Sequence, residues 1–455
     1  LRMLRALQDT RPRSGLFPAV ALAALVTVIW TVYIAPLPHY DVEVFLRAGA
    51  AVGHGHDPYP PPGSAEVYSG FAYVYPYLMA FGFVPLAWLG RLGASVFIAL
   101  STGALFGGTR LAGARDGRTY ALVAMASCTI TGLQMGTLNA VLFLGLAALW
   151  RYRERPVAAG LLAAAVIYAK LFLAPIWLWL VLTRRMRAGA VAAAGIVVLF
   201  GVAEATSPVG THTYLSMLTV LARKEAPLGL SLTGLLVNTG VGFGVATWAA
   251  RTVAAGLLAA CWLRFRRTAD ERVLYAGTLA AALVASPIVW SHYLLLLIVP
   301  LLVSAPGPGT SLTAFTVLSW FVVTPHRTDL TGFVVGGVVV GLLAAPSLVR
   351  VVRGPARRGS PAGGPVPPRS SMTTAAFAMT TAAFGIAALA TGVAVKLLAT
   401  AHGDPGRVVG AYCALLGVLT VSWWSLAQGR RPTPAAVPLD TDHSTRPVPT
   451  GGTAT

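Results

Sequence analysis

The chain has 455 residues, of which 56% are apolar and only 11% charged, with a mean hydropathy of +0.71. That balance excludes an ordinary soluble domain and is that of a polytopic membrane protein. The formal charge of +19 does not mark a nucleic-acid binder, because the arginines form no single stripe but punctuate apolar runs.

In chain order, Arg2, Arg5, Arg11 and Arg13 precede the first apolar run, residues 16–37. This run is too long for a signal-peptide core and has no small-residue cleavage site before the next polar stretch, so we expect a retained first span. Apolar runs then recur to Trp424. At about 20 residues per crossing, roughly 12–14 spans are expected in an all-α polytopic fold. Basic clusters separate them: Arg110/Arg115/Arg118, Arg151/Arg153/Arg155, Arg184/Arg185/Arg187, Arg264/Arg266/Arg267, Arg350/Arg353/Arg357/Arg358 and Arg430/Arg431. The positive-inside rule puts these on the cytoplasmic face of a multi-pass cell-membrane protein.

Residues 71–89 are apolar enough to cross. Pro76 and Pro85 interrupt them, and Tyr73, Tyr75, Tyr77 and Trp88 prefer an interface. A crossing here would also move the Arg110–Arg118 loop outside, so we expect a broken segment at the outer surface. A similar outer loop and interfacial helix are expected over residues 206–245. The outer face then holds residues 38–70, 132–139, the surroundings of Lys170, 206–230, 286–293, 325–329 and 401–407. Residues 1–350 read as the core. Residues 351–372 read as a basic Pro/Gly linker, 373–427 as two appended membrane helices, and 428–455 as a disordered cytoplasmic tail.

Carboxylates are scarce, with 15 Asp and Glu in all, so those near a membrane surface are candidates for chemistry. Asp41 and Glu43 stand in YDVEVF, in the polar stretch after the first span. Asn139 follows Gly136 in LQMGTLNAVL. Lys170, one of three lysines, lies inside the apolar stretch 157–182. A charge there is costly and points to function. The brackets at Arg155 and Arg184, with Pro175, put Lys170 near the outer end of a helical hairpin. His292 follows Trp290 at the outer start of a later span. Cys128, Cys261 and Cys413 lie in apolar runs with no disulfide framework and no metal-ligand spacing. A divalent ion on Asp41 and Glu43 is an alternative we do not favour, because hard cations need several oxygen ligands. Nor do we favour a metal on His54, His56 and Asp57, because loop histidines flanked by glycine are usually solvated. No cofactor is expected.

The ordered set resembles the GT-C glycosyltransferases, specifically the family 87 polyprenyl-phosphate-mannose-dependent mannosyltransferases of actinobacteria. The set is an acid after span one, a Tyr-Pro segment, a Gly-x-x-Asn turn, a Lys-bearing hairpin and SPIVWSH. The matching stretches include YDVEVFLRAGAAVGHGHDPY, YVYPYLMAFGFVPLAWL and SPIVWSHYLLLLIVP. Two departures stand out. Thr137 replaces the family's Gln in Gly-Gln-x-Asn, and the family's Tyr-Pro-Pro reads Tyr75-Pro76-Tyr77. Both are expected to alter the donor pocket or acceptor groove.

The resemblance implies a GT-C-like fold with interfacial helices on the outer face. It implies inverting transfer of a hexose, mannose above all, from a polyprenyl-phosphate sugar to an envelope glycolipid or glycan, with the bilayer as partner and no nucleic acid. Asp41 and His292 would be catalytic. Lys170, Asn139, Glu43, Tyr59 and Tyr75 would bind substrate. The competing classes are a multi-span transporter or lipid flippase, and a non-catalytic scaffold subunit. A transporter is disfavoured because the polar groups cluster at one face and no inverted repeat is visible.

Overall fold

The computed structural model describes residues 39–69 and 71–309, with positions 24, 27, 28, 30–34, 311–313, 315, 316 and 319. The expected linker, the appended helices, the tail and the outer segments 325–329 and 401–407 lie outside the described residues. Among the described residues every regular element is helical.

The first long helix, α1 (Tyr40–Gly53), follows a short π-helical turn, Trp30–Ile34. Its buried residues Val42, Val44, Phe45, Ala48, Gly49 and Val52 recur at helical spacing and form one apolar face. Asp41 and Glu43 sit in its first turn, where the helix dipole favours acids. The aromatic stretch that follows forms two short helices, α2 (Tyr77–Phe81) and α3 (Val84–Ala87), of 5 and 4 residues. Pro76 precedes the first and Pro85 lies in the first turn of the second. The run is therefore broken as expected, and neither piece is long enough to cross a bilayer.

The remaining helices follow in chain order. α4 (Leu92–Leu111) ends at Arg110. α5 (Gly117–Met125) and α6 (Ser127–Met135), bent at Ala126, return to Gly136. α7 (Asn139–Arg151) runs back to an arginine, and α8 (Pro156–Ala169) leaves it. α9 (Pro175–Leu182) returns, and α10 (Met186–Thr206) leaves again. α11 (Thr211–Glu225) and α12 (Leu232–Asn238) lie between α10 and α13 (Phe243–Thr268), which ends on Arg266 and Arg267. α14 (Glu271–Ala285) departs from there. A 3₁₀ segment, Ser291–Leu297, leads into α15 (Ile298–Ser304).

Ion pairs join the turns at one end. Arg153 meets Glu271 at 2.9 Å, and Arg185 meets both Glu154 and Glu271, at 2.5 and 2.6 Å. We call this the arginine end. α4, α10 and α13, of 20, 21 and 26 residues, are long and apolar enough to cross a membrane. Other runs that count as spans by hydropathy alone are divided. The stretch 157–182 is a hairpin: Lys170 is its tip, and the Glu154–Arg185 pair ties its two feet together.

Candidate active site

Asp41 owes its position to the packing of α1 on the end of α6. Gly136 caps α6 in the left-handed region, at φ 70°. A Cβ there would lie 2.7 Å from the Cβ of Val42, so only glycine allows this approach. His39 Nδ1 lies 2.6 Å from the Gln134 carbonyl oxygen and forms a second tie. The turn named in the sequence as Gly-x-x-Asn thus seats the helix that carries Asp41. Asp41 is half-buried and lines the cavity described below. Burial raises its carboxyl pKa above the ordinary value, and the nearby Lys170 ammonium partly offsets the rise.

Lys170 is the residue at which α8 stops, with extended backbone at φ −143° and ψ 98°. A cation at a helix C-terminus is favoured by the dipole. Its ammonium donates to the Tyr293 hydroxyl at 2.7 Å. It also lies 4.6 Å from the ring centre of Tyr75 and 4.4 Å from that of Tyr293. Phe172 stacks on Tyr293 at 5.2 Å and holds that ring. Among the described residues no carboxylate comes within ion-pair distance of Lys170. Aromatic faces and one hydroxyl satisfy the cation in part and leave it able to take an anion.

His292 stands at the start of the 3₁₀ segment and is only 4% exposed. Its Nδ1 has no partner among the described residues. Its Cβ backs onto α6 at Gly132, where an added Cβ would meet the His292 Cβ at 3.4 Å. The strip before it is pinned by three bonds. Ser286 Oγ donates to the Ile288 carbonyl at 2.6 Å and Ser231 Oγ to the Pro287 carbonyl at 2.7 Å. Leu230 N–H donates to the Val289 carbonyl at 2.6 Å.

These groups meet in a cavity of about 530 Å³ lined by Asp41, Tyr75, Lys170 and His292, with Tyr293, Trp290 and apolar neighbours. Its size suits a small ligand or the head of a larger one. Three other expected binding residues do not line it. Glu43 is exposed on the far side of α1. Residues two apart on a helix lie about 200° apart, so turning Asp41 inward turns Glu43 outward. The two carboxylates therefore do not share one ion. Tyr59 is buried and donates its hydroxyl to the Tyr75 carbonyl at 2.8 Å. Tyr73 and Tyr214 do the same for the carbonyls of Pro76 and Val74, at 3.0 and 3.2 Å. These hydroxyls hold the strip that presents Tyr75.

Asn139 is fully buried at the first turn of α7, and its amide has no partner among the described residues. The two sequence departures also lie off the cavity wall. Thr137 is buried and accepts from the Asn139 N–H at 3.3 Å, and Tyr77 packs on Phe81 at 5.4 Å. Sequence reasoning missed Tyr293, the hydroxyl partner of Lys170, and Glu225, a second carboxylate on the wall. The signal for Tyr293 was its place directly after His292.

The family model for glycosyltransferase family 87 matches residues 73–300, half of the chain. Neither a curated protein nor a solved structure matches it.

Proposed function

The chain belongs to glycosyltransferase family 87, and from that membership we propose that it transfers a hexose, mannose in our reading, from a polyprenyl-phosphate donor to a glycolipid or glycan acceptor of the cell envelope. The observation that carries the reading is Lys170: a cation without a carboxylate partner among the described residues, held by two tyrosines, in one cavity with Asp41 and His292. Such a cavity suits an anionic leaving group beside a carboxylate base.

The chemistry runs as a single displacement. An acceptor hydroxyl attacks the anomeric carbon opposite the phosphate, and Asp41 takes the hydroxyl proton. The carbon–oxygen bond to the phosphate breaks, and the lipid phosphate leaves with the electron pair. Lys170, the Tyr293 hydroxyl and the His292 imidazole meet the charge that develops on it. The anomeric centre inverts, so a β-linked donor gives an α-linked product. The raised pKa of Asp41 makes it a better base than an exposed aspartate.

Membrane geometry supports a lipid-linked donor. The 14 residues of α8 rise about 21 Å, short of a hydrocarbon core of about 30 Å. With the arginine end at the cytoplasmic face, the tip at Lys170 stays within the outer half of the bilayer. A phosphate on a polyprenyl chain can reach it from the lipid. The test is transfer of labelled mannose from polyprenyl-phosphate-mannose in membranes that carry the full chain. Transfer above that of membranes lacking the chain is the expected result. Transfer from a soluble sugar nucleotide, with none from the lipid donor, would overturn the reading.

A further inference from the structure

The cavity holds a second carboxylate that the mechanism above does not use. Glu225 is the last residue of α11 and lines the wall opened by Leu218, Leu221 and Ala222 of the same helix. Its position is unfavourable for stability in three ways. It is half-buried, and burial raises its pKa. It sits at the C-terminal end of a helix, where the dipole repels an acid. Among the described residues its carboxylate makes no ion pair and no side-chain hydrogen bond. A group held at such cost and facing a cavity is placed for a ligand.

The surrounding backbone fixes it there. Gly229 N–H donates to the Glu225 carbonyl at 3.1 Å, and the next residue, Leu230, donates to Val289 at 2.6 Å. The turn after Glu225 is therefore stitched to the strip that ends in Trp290, whose indole lines the same cavity. A carboxylate and a broad aromatic face on one cavity wall suit a polyol, whose hydroxyls donate to the oxygens while its C–H face rests on the ring. An anionic phosphate cannot be the partner of Glu225, because like charges repel. Glu225 therefore suits hydroxyls rather than the donor phosphate.

We propose that Glu225 binds hydroxyls of the acceptor, beside Trp290, and so selects a sugar-bearing acceptor over a simple lipid alcohol. This rests on the glycosyl-transfer reading given above. A lone alcohol needs only one hydroxyl within reach of Asp41. A second carboxylate on the wall rewards an acceptor that offers further hydroxyls.

The experiment uses the full chain in lipid nanodiscs, with hexyl α-mannoside and hexyl β-glucoside below their micellar concentrations and 1-hexanol as the hydroxyl-poor control. Binding is read from tryptophan fluorescence, and transfer from labelled polyprenyl-phosphate-mannose. The wild type is expected to bind and glycosylate at least one hexoside and to ignore hexanol. Glu225→Gln should weaken hexoside binding about 10-fold or more, as for loss of a charge-assisted hydrogen bond, while the KM for donor stays unchanged. Glu225→Asp, which keeps the carboxylate, should recover part of the affinity. An unchanged donor KM also shows that the variants are folded. Equal hexoside binding by wild type and Glu225→Gln would overturn the proposal, and so would equal use of hexanol and hexosides. A loss confined to kcat, with hexoside binding intact, would overturn it too and make Glu225 a base. Hexoside binding that depends on Glu225, without transfer from the lipid donor, would uphold the hydroxyl site and sink the donor assignment instead.

Discussion

The two ends of the helical body treat charge in opposite ways. At the arginine end, Arg153, Arg185 and Arg272 are all paired, with Glu154, Glu271 and Asp270 as partners. Every ion pair among the described residues lies there. At the cavity end, Asp41, Glu225 and Lys170 share one space, and among the described residues none is in an ion pair. Paired charges fasten turns and ask nothing of a ligand. Unpaired charges in a half-buried cavity cost stability and become useful only when a substrate supplies the missing partner. The contrast separates a structural end from a working end without reference to any relative.

The sharpest way to break this contrast is Asp41→Asn. The change is nearly isosteric, so the fold should hold while transfer falls by about 100-fold or more, the usual contribution of a general base. Transfer of labelled mannose in membranes with matched expression measures it. Near-normal transfer would remove Asp41 as base and leave Glu225 and His292 as the next groups to test. Lys170→Met comes second. Removing the cation should raise the donor KM and lower kcat together, by about 10- to 100-fold in kcat/KM, because the charge it meets exists in both bound donor and transition state. A loss in kcat alone would move Lys170 away from the phosphate.

At the arginine end the expected effect is smaller and of another kind. Glu271→Gln removes the shared partner of Arg153 and Arg185, two pairs that are partly exposed and therefore worth only about 1 kcal/mol each at most. A fall of a few degrees in melting temperature, with transfer per folded molecule unchanged, is the expected outcome. A selective loss of transfer would mean that the two ends are coupled.

Much of the working end was legible from sequence because charges are rare in an apolar chain. Asp41 and Lys170 were singled out by that rarity and His292 by its place at the outer start of a span, and all three line the cavity. The alternation of arginine clusters and the broken segment around Pro76 and Pro85 were legible for related reasons, since loop charge and proline act locally. Long-range packing was not legible. The segment YDVEVF read as a loop, yet it begins a helix whose inner face is set by contact with Gly136, some ninety residues away in sequence. That helix is why Glu43 faces outward. Tyr59 read as a binding residue, but its hydroxyl is taken by a backbone carbonyl that only the folded chain brings near. Glu225 was not singled out at all, because its place on the cavity wall with Trp290 depends on the joined turns at Leu230 and Val289.

The smallest effect tests whether Asp41 and Lys170 act on each other. Burial raises the Asp41 pKa and the Lys170 charge lowers it, with burial the larger influence. A base works only when deprotonated, so kcat/KM should fall as pH drops through this pKa. The acid limb of the profile should therefore lie above the ordinary carboxylate range. Replacing Lys170 with Met removes the one influence that favours the ionised form. The limb should then move further up in pH, while the plateau falls for the separate reason that phosphate charge is no longer met. Asp41→Asn should abolish the limb altogether in whatever activity remains. A limb that stays in place when Lys170 is removed would show that the two groups do not interact, and that the cavity holds two independent charges.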